Sequence, residues 1–238
     1  MSHGSSRNIK LFLLTAGLGL CIMCAGPLRE IVLEPRDVFM DDAFVFSDNR
    51  DNLPNSNWGG NHQLFIASRV RGNAGYNRHT FIKFEGGKIA SSPDEVLSVK
   101  MRLADISFPL LKDYTVNDVM MIVYRVMEPW SEGSAGKAAQ SGQYPNAGNA
   151  ISWNSQPRFD TTREWARVQL RPWTQMTMVN ADITDLVRAW LAGTYPNHGL
   201  VLVGEQEGVA TYIHNFASTE HPNASLRPRL MVVKAAPR

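Results

Sequence analysis

The 238-residue sequence has almost no cysteine: Cys21 and Cys24 are its only two, and both sit in an apolar stretch near the N-terminus. A chain that sheds this stretch keeps no thiol, which excludes disulfide staples, cysteine-ligated metal and a cysteine nucleophile. Charge of one sign is also scarce. Without Arg7 and Lys10 the chain carries 22 Lys and Arg against 22 Asp and Glu, a balance that argues against nucleic-acid binding by bulk electrostatics. Long apolar runs are missing too. The one at residues 11–25 spans 15 residues, short of the ~20 that a helix needs to cross a bilayer. There is no Gly-x-Ser-x-Gly elbow and no internal repeat,. Gly133-Ser134-Ala135-Gly136-Lys137 lacks the first glycine of a phosphate loop and reads as ordinary loop,. His62, His79, His198, His214 and His221 form no close pair, and so are expected at the surface or hydrogen-bonded in the core rather than on zinc.

What is present points first to export. Arg7 and Lys10 ahead of the apolar run have the pattern of a secretory signal peptide, assigned to residues 1–26 with cleavage near Ala25,. A retained N-terminal membrane anchor, or lipidation at Cys21, is the alternative. Residues 27–40 read as a linker leading into a strand, and residues 41–236 as one domain. At 44% hydrophobic and 19% charged residues the composition is that of a folded globular protein,. A β-sandwich of this length often forms a single unit.

From Asp42 onward, short strand signals are separated by Gly, Asn, Pro and Ser clusters,. Residues 97–103 alternate apolar and polar, which puts one face on a core and the other in water,. Residues 119–127 and 200–203 are apolar on both faces and are expected as central strands,. Residues 211–217 and 230–233 close the sheet near the C-terminus. One short amphipathic helix is expected at about 182–192. Asp182 can accept from its first turn, Ile183, Leu186, Val187, Trp190 and Leu191 share a face, and Gly193 ends it,. Residues 133–148, rich in Gly, Ala, Ser and Asn, read as a long exposed loop.

Three sets of residues are candidates for chemistry. Glycoside hydrolysis needs two carboxyl groups ~5 to 9.5 Å apart, and Glu128 with Glu132, or Glu205 with Glu207, supply such acids. The competing role for Glu132 is to order the loop between two strands. The oxygen-rich segment 48–57 suits calcium, which takes six to eight oxygens in an irregular shell. Asp42, Asp48, Asp51, Asn57 and Glu220 are its candidate ligands, with Asp42 and Glu220 meeting if the first and last strands are neighbours. Plain turns account for the same Asn and Asp cluster. Among aromatics, Trp130, Trp153 and Trp190 are expected in the core. Trp58, Tyr76, Trp165 and Trp173 lie in loop-like or polar surroundings, where a flat ring gives a sugar an apolar platform. Arg78 and Arg167 beside them can clasp a carboxylate or sulfate. The alternative is that each ring packs over its own loop and each arginine is solvated.

The order of short signals carries more than any one of them. Asp41-Asp42-Ala43-Phe44-Val45 is followed by Asn55-Ser56-Asn57-Trp58-Gly59-Gly60, Phe81-Ile82-Lys83-Phe84, Trp130-Ser131-Glu132 and Ile151-Ser152-Trp153. After the helix come Asn197-His198-Gly199-Leu200, Phe216-Ala217-Ser218-Thr219-Glu220 and Arg227-Pro228-Arg229-Leu230. In this order the chain resembles the DNRLRE domain family, related to carbohydrate-binding module family 96 and to the repeats of disaggregatases. The resemblance implies an all-β, jelly-roll-like antiparallel β-sandwich, secreted, that binds polysaccharide without cleaving it, with uronate polymers as the expected ligand class. A cell-surface or matrix domain that binds protein, and a polysaccharide-degrading enzyme, are the competing functions. No nucleic-acid partner is expected, and no membrane contact beyond the signal segment. The chain departs from the family pattern where Phe84 is followed by Glu85-Gly86-Gly87 rather than aspartate and leucine.

Overall fold

The computed structural model describes residues 28–38, 40–48, 54–70, 75–107, 118–133, 150–171 and 175–235. Among these, the chain forms strands β1 (Arg29–Leu33), β2 (Met40–Phe46), β3 (Gln63–Arg69), β4 (Tyr76–Phe84), β5 (Val96–Asp105), β6 (Val119–Val126), β7 (Phe159–Asp160), β8 (Ala166–Leu170), β9 (Thr177–Asp182), β10 (Leu200–Gly204), β11 (Tyr212–Ala217) and β12 (Arg229–Lys234). Helix α1 (Pro35–Val38) is a single turn, and α2 (Thr184–Leu191) is the amphipathic helix expected from the sequence.

All ladders among the described residues are antiparallel. One layer of the sandwich is built on β4, which pairs with the whole of β2 on one side and with β10 on the other. β10 then pairs with β6, whose far edge takes β7 and β8. The second layer is built on β5, with β9 on one side and β12 then β1 on the other. β3 and β11 pair with each other and connect the layers, β3 to β4 and β11 to β5 through Phe216 and Asp105. β1 is an edge strand of the sandwich, in register with β12.

Strand alternation explains where the core sits. Val99, Met101 and Leu103 of β5 join Ile82 and Phe84 of β4, Leu200 and Leu202 of β10, and Met121 and Val123 of β6 within one large buried cluster. β6 and β10 are apolar on their second face as well, as the sequence predicted for central strands. Val201, Val203 and Val126 join Ala43, Val45 and Phe81 in a smaller cluster on the outside of the first layer.

Helix α2 closes one side of the main core. Its Leu186, Val187 and Trp190 are buried, and the Trp190 ring meets Phe84 edge-on at 5.5 Å. Asp182 Oδ1 accepts from the Thr184 amide at 3.0 Å and from its hydroxyl at 2.6 Å, so the predicted starting residue serves the first turn from just outside it,. The Arg188 guanidinium donates to the Val96 carbonyl, at 2.7 Å from Nη2, and ties the helix to β5.

Candidate functional site

The two outer faces of the sandwich are treated differently by the chain. On the first layer, the apolar residues of the smaller cluster need a cover, and Trp130 and Trp153 from the segments after β6 and before β7, with Phe159 of β7, supply it. Trp130 Nε1 donates to the His198 carbonyl at 2.8 Å, fixing the ring over Phe81. Buried His79 lies between, with Glu207 Oε1 at 2.6 Å from Nε2, Gln156 Oε1 at 3.0 Å from Nδ1, and the Trp153 ring 4.7 Å away. Trp130 and Trp153 are therefore packing residues, as expected.

Beside this cover, Trp58 and Tyr76 form a third cluster with Phe44, Phe46 and Phe65. Of the two rings expected as a platform, Trp58 is buried and Tyr76 is half-buried. Trp58 is only 8% exposed because its ring stacks on Phe44 at 5.2 Å, and Tyr76 meets Phe46 edge-on at 4.9 Å. Arg78 sits over this group, 4.0 Å from the Phe46 ring centre and 4.5 Å from that of Phe65. Its charge is directed at ring faces.

The outer face of the second layer has no such cover among the described residues. It carries the polar positions of the alternating strand that the sequence assigned to water, Ser98, Lys100 and Arg102 of β5, with Asn180 of β9 and Met231 and Val233 of β12. Two depressions run across it. One, of about 400 Å³, is bounded by Glu30, Lys100, Arg102 and Met231. The other, of about 560 Å³, continues past α2 to β8 and is bounded by Trp165, Arg167, Asp182 and Asp185. Ser98 and Asn180 border both depressions, which therefore lie next to each other on this face and are together called the groove.

Electrostatics distinguish the two ends of this groove. Arg102 lies opposite Arg229 in the β5–β12 register, and Arg229 pairs with Glu34 at 3.4 Å. Arg102 Nε is buried without an acceptor among the described residues. Two arginines abreast with one carboxylate beside them leave an excess of positive charge. At the other end, Arg167 is held by Glu164 at 3.0 Å and by Glu205. Trp165 is 9% exposed, covered by the Arg163 guanidinium at 3.7 Å and met edge-on by Tyr195. The expectation for Trp165 and Arg167 is thus corrected in part: they line the groove, but as a buried ring and a neutralised cation. Trp173 lies outside the described residues.

A second concentration of chemistry lies at β2. Asp42, Glu132 and Glu220 bring one carboxylate oxygen each to within 4.8 Å of one another. Asp42 is fully buried, its Oδ2 accepts from the Thr219 amide at 2.8 Å, and its Oδ1 has no donor among the described residues. Burial, with the Glu220 charge beside it, holds its carboxyl well above the usual range,. The same two causes push Glu132 up to about 8. Thr219 also donates its hydroxyl to the Glu220 carboxylate at 2.9 Å.

The loop carrying Glu132 is fixed from below. Asn57 Nδ2 donates to the Glu132 carbonyl at 2.6 Å and to the Ile151 carbonyl at 2.9 Å. A Cβ on Gly59 would overlap the Glu132 carbonyl, and Gly133 takes φ 73° directly after the glutamate,. Of the predicted calcium ligands, the structure unites Asp42 and Glu220 and adds Glu132, which the sequence assigned to loop ordering. Asn57 is a brace, because its amide nitrogen is committed to backbone carbonyls. Asp48, buried two residues past the end of β2, is not among the carboxylates that converge with Asp42. Asp51 lies outside the described residues.

These features coincide with one known family. The model of carbohydrate-binding module family 96 matches residues 39–234, which takes in both faces of the sandwich and all three carboxylates. The chain belongs to carbohydrate-binding module family 96. Its function class is therefore carbohydrate binding. No curated protein matches it significantly.

Within this family 96 module, the acids considered for catalysis are engaged as follows. Glu128 accepts from Arg158 at 2.6 Å, Glu205 pairs with Arg167, Glu207 with His79, and Glu132 joins the interior cluster. Lys100 and Arg102 went unassigned in the sequence because alternation gives a solvated strand face and a binding face the same pattern. The cue that was available is their composition: two cations on successive outward positions of one strand.

Proposed function

We propose that this protein is a secreted, non-catalytic module that binds an anionic polysaccharide, of the uronate class, along the groove on the outer face of the second sheet. The observation that carries this reading is the placing of Lys100 and Arg102 on successive outward positions of β5, with Arg229 abreast of Arg102, on an open sheet face. A carboxylate laid across β5 and β12 meets these cations through charge-assisted hydrogen bonds. The length of the groove, from Glu30 past Asn180 to Arg167, suits several sugar units of a chain, and its polar walls suit hydroxyl groups. Asp182, Asp185 and Glu205 at the Arg167 end disfavour a continuous run of charge there. Uronate units are therefore expected over Lys100 and Arg102, with the chain end or neutral units toward Trp165. Export is supported by the basic start and apolar run of residues 7–25. No helix among the described residues is long and apolar enough to cross a membrane.

Affinity electrophoresis and titration calorimetry against alginate, polygalacturonate and neutral glucans test the reading. Retardation by the uronate polymers, weakened in Arg102→Ala, is the expected result. Equal binding to neutral glucans, or undiminished binding by the variant, overturns the anionic class and the face respectively. New reducing or unsaturated ends during incubation would overturn the non-catalytic role.

A further inference from the structure

The acidic cluster at β2 lies outside the groove and is not needed for glycan recognition. From Asp42, Glu132 and Glu220 we infer a calcium site that staples the loop after β6 and the loop after β11 to the edge of the first sheet.

The cluster has features that a chance gathering of acids lacks. Asp42 is fully enclosed, and its Oδ1 has neither a donor among the described residues nor access to solvent. A buried carboxylate oxygen without a partner is costly. Asp42 lies in a group whose members each offer one carboxylate oxygen within 4.8 Å of the others, a spacing that lets one ion touch all three. The lysine nearest in the β2–β4 register is engaged elsewhere, since Lys83 Nζ pairs with Asp41 at 3.4 Å.

The remaining contacts orient the three oxygens from outside. Thr219 holds Asp42 through its amide and Glu220 through its hydroxyl. Asn57 and the side-chain-free approach of Gly59 hold the Glu132 backbone. Each carboxylate therefore arrives from a separate segment with its own positioning contacts, the arrangement expected of ligands and their supports. All donors are hard oxygens and none is histidine or cysteine, which selects an alkaline-earth ion over zinc or copper. Three carboxylates from two loops and a strand suit the larger, irregular shell of calcium better than the strict octahedron of magnesium. Backbone carbonyls and water complete such a shell.

The consequence is mechanical. Glu132 is two residues from Trp130, the ring that covers the outer apolar cluster. An ion on Glu132 anchors that cover to β2, so calcium sets the stability of the closed face while leaving the groove on the other face unchanged.

The test uses the full-length protein, stripped with a chelator and returned to calcium, magnesium or neither. Calorimetry should give one calcium per chain. Thermal unfolding should shift upward by about 5–10 °C at a hundredfold excess over Kd, with magnesium at the same concentration giving a small part of the shift. Glu132→Gln and Glu220→Gln should each weaken calcium binding at least tenfold while remaining folded by circular dichroism. Asp42→Asn alters a fully buried group and can fail to fold, so the outcome is read from the two glutamine variants. Absence of calcium-dependent heat and shift in the stripped wild type overturns the proposal, as does wild-type calcium affinity in both glutamine variants. Equal stabilisation by magnesium overturns the choice of ion. Uronate binding measured in the same samples is expected to survive calcium removal at temperatures below unfolding, which keeps the two proposals separable.

Discussion

The two outer faces of this sandwich arise from strands of similar period but meet different fates. On the first layer the outward residues of β6 and β10, and Phe81 of β4, are apolar, and an open face would leave Phe81, Val201 and Val203 in water. Loops bearing Trp130 and Trp153 cover them and produce a second small core. On the second layer the outward residues of β5, β9 and β12 are largely polar or charged, no cover is needed, and a groove remains. Aromatic residues in this molecule therefore report closure, whereas unpaired cations report opening. That is the reverse of the simplest expectation for a sugar-binding protein, in which exposed tryptophans mark the site.

The comparison can be broken most directly from the closed face. Trp130→Ala removes the cover of Phe81 and the hydrogen bond to His198, and should cost about 3 kcal/mol of stability in chemical denaturation, with uronate affinity changed less than about twofold. A loss of binding as large as the loss of stability would mean that the closed face also takes part in recognition.

On the open face the expected pattern is inverted. Arg102→Ala should lower uronate affinity about tenfold, the worth of one charge-assisted bond, while changing stability by no more than about 0.5 kcal/mol. Lys100→Ala should act in the same direction by a few-fold, because its flexible point charge lacks the paired geometry of a guanidinium. Raising sodium chloride from about 50 to 300 mM should weaken binding of the wild type more than of Arg102→Ala. A salt-independent affinity would shift the weight from charge to sugar-ring contacts.

A further prediction concerns pH. In metal-free protein, Glu132 keeps its proton up to about 8 against 4.5 when unperturbed, and Asp42 is raised as well. Glu220 and Asp41 face Glu132 with like charge, and Lys83 faces Asp41. The native state thus holds protons that the unfolded chain has released between these values. Stability contributed by the protonated acids is full below about 4.5 and is lost as pH rises through about 8,. Thermal unfolding in chelator should show Tm falling across this window, and Glu132→Gln should flatten the fall. A Tm that rises with pH in chelator, with no flattening in the variant, would remove Glu132 as the source.

Much of the architecture was legible from residues alone. Alternation located β5, two-faced apolar runs located β6 and β10, and an i, i+3, i+4 face between Asp182 and Gly193 located α2. The candidate site was legible only in part. Asp42 and Glu220 are 178 positions apart and meet because β2 and the loop after β11 share an edge, which no local pattern encodes. Glu132 looked like a loop residue because its backbone is one; its carboxylate acquires another role only when Asn57 and Gly59 present it to Asp42. Trp58 and Trp165 misled because polar neighbours in sequence say little about neighbours in space. Their covers, Phe44 for one and Arg163 with Tyr195 for the other, come from sequence distances that range from two to thirty residues.

The two-layered β-architecture and the family were written into the chain itself, since periodicity and the order of turn and core signals are properties that can be read locally. Which face stays open, which cations lack a partner and which acids converge emerged only on folding. Solvation and charge balance depend on what packs beside a residue, and that is set by pairings between segments far apart in the chain.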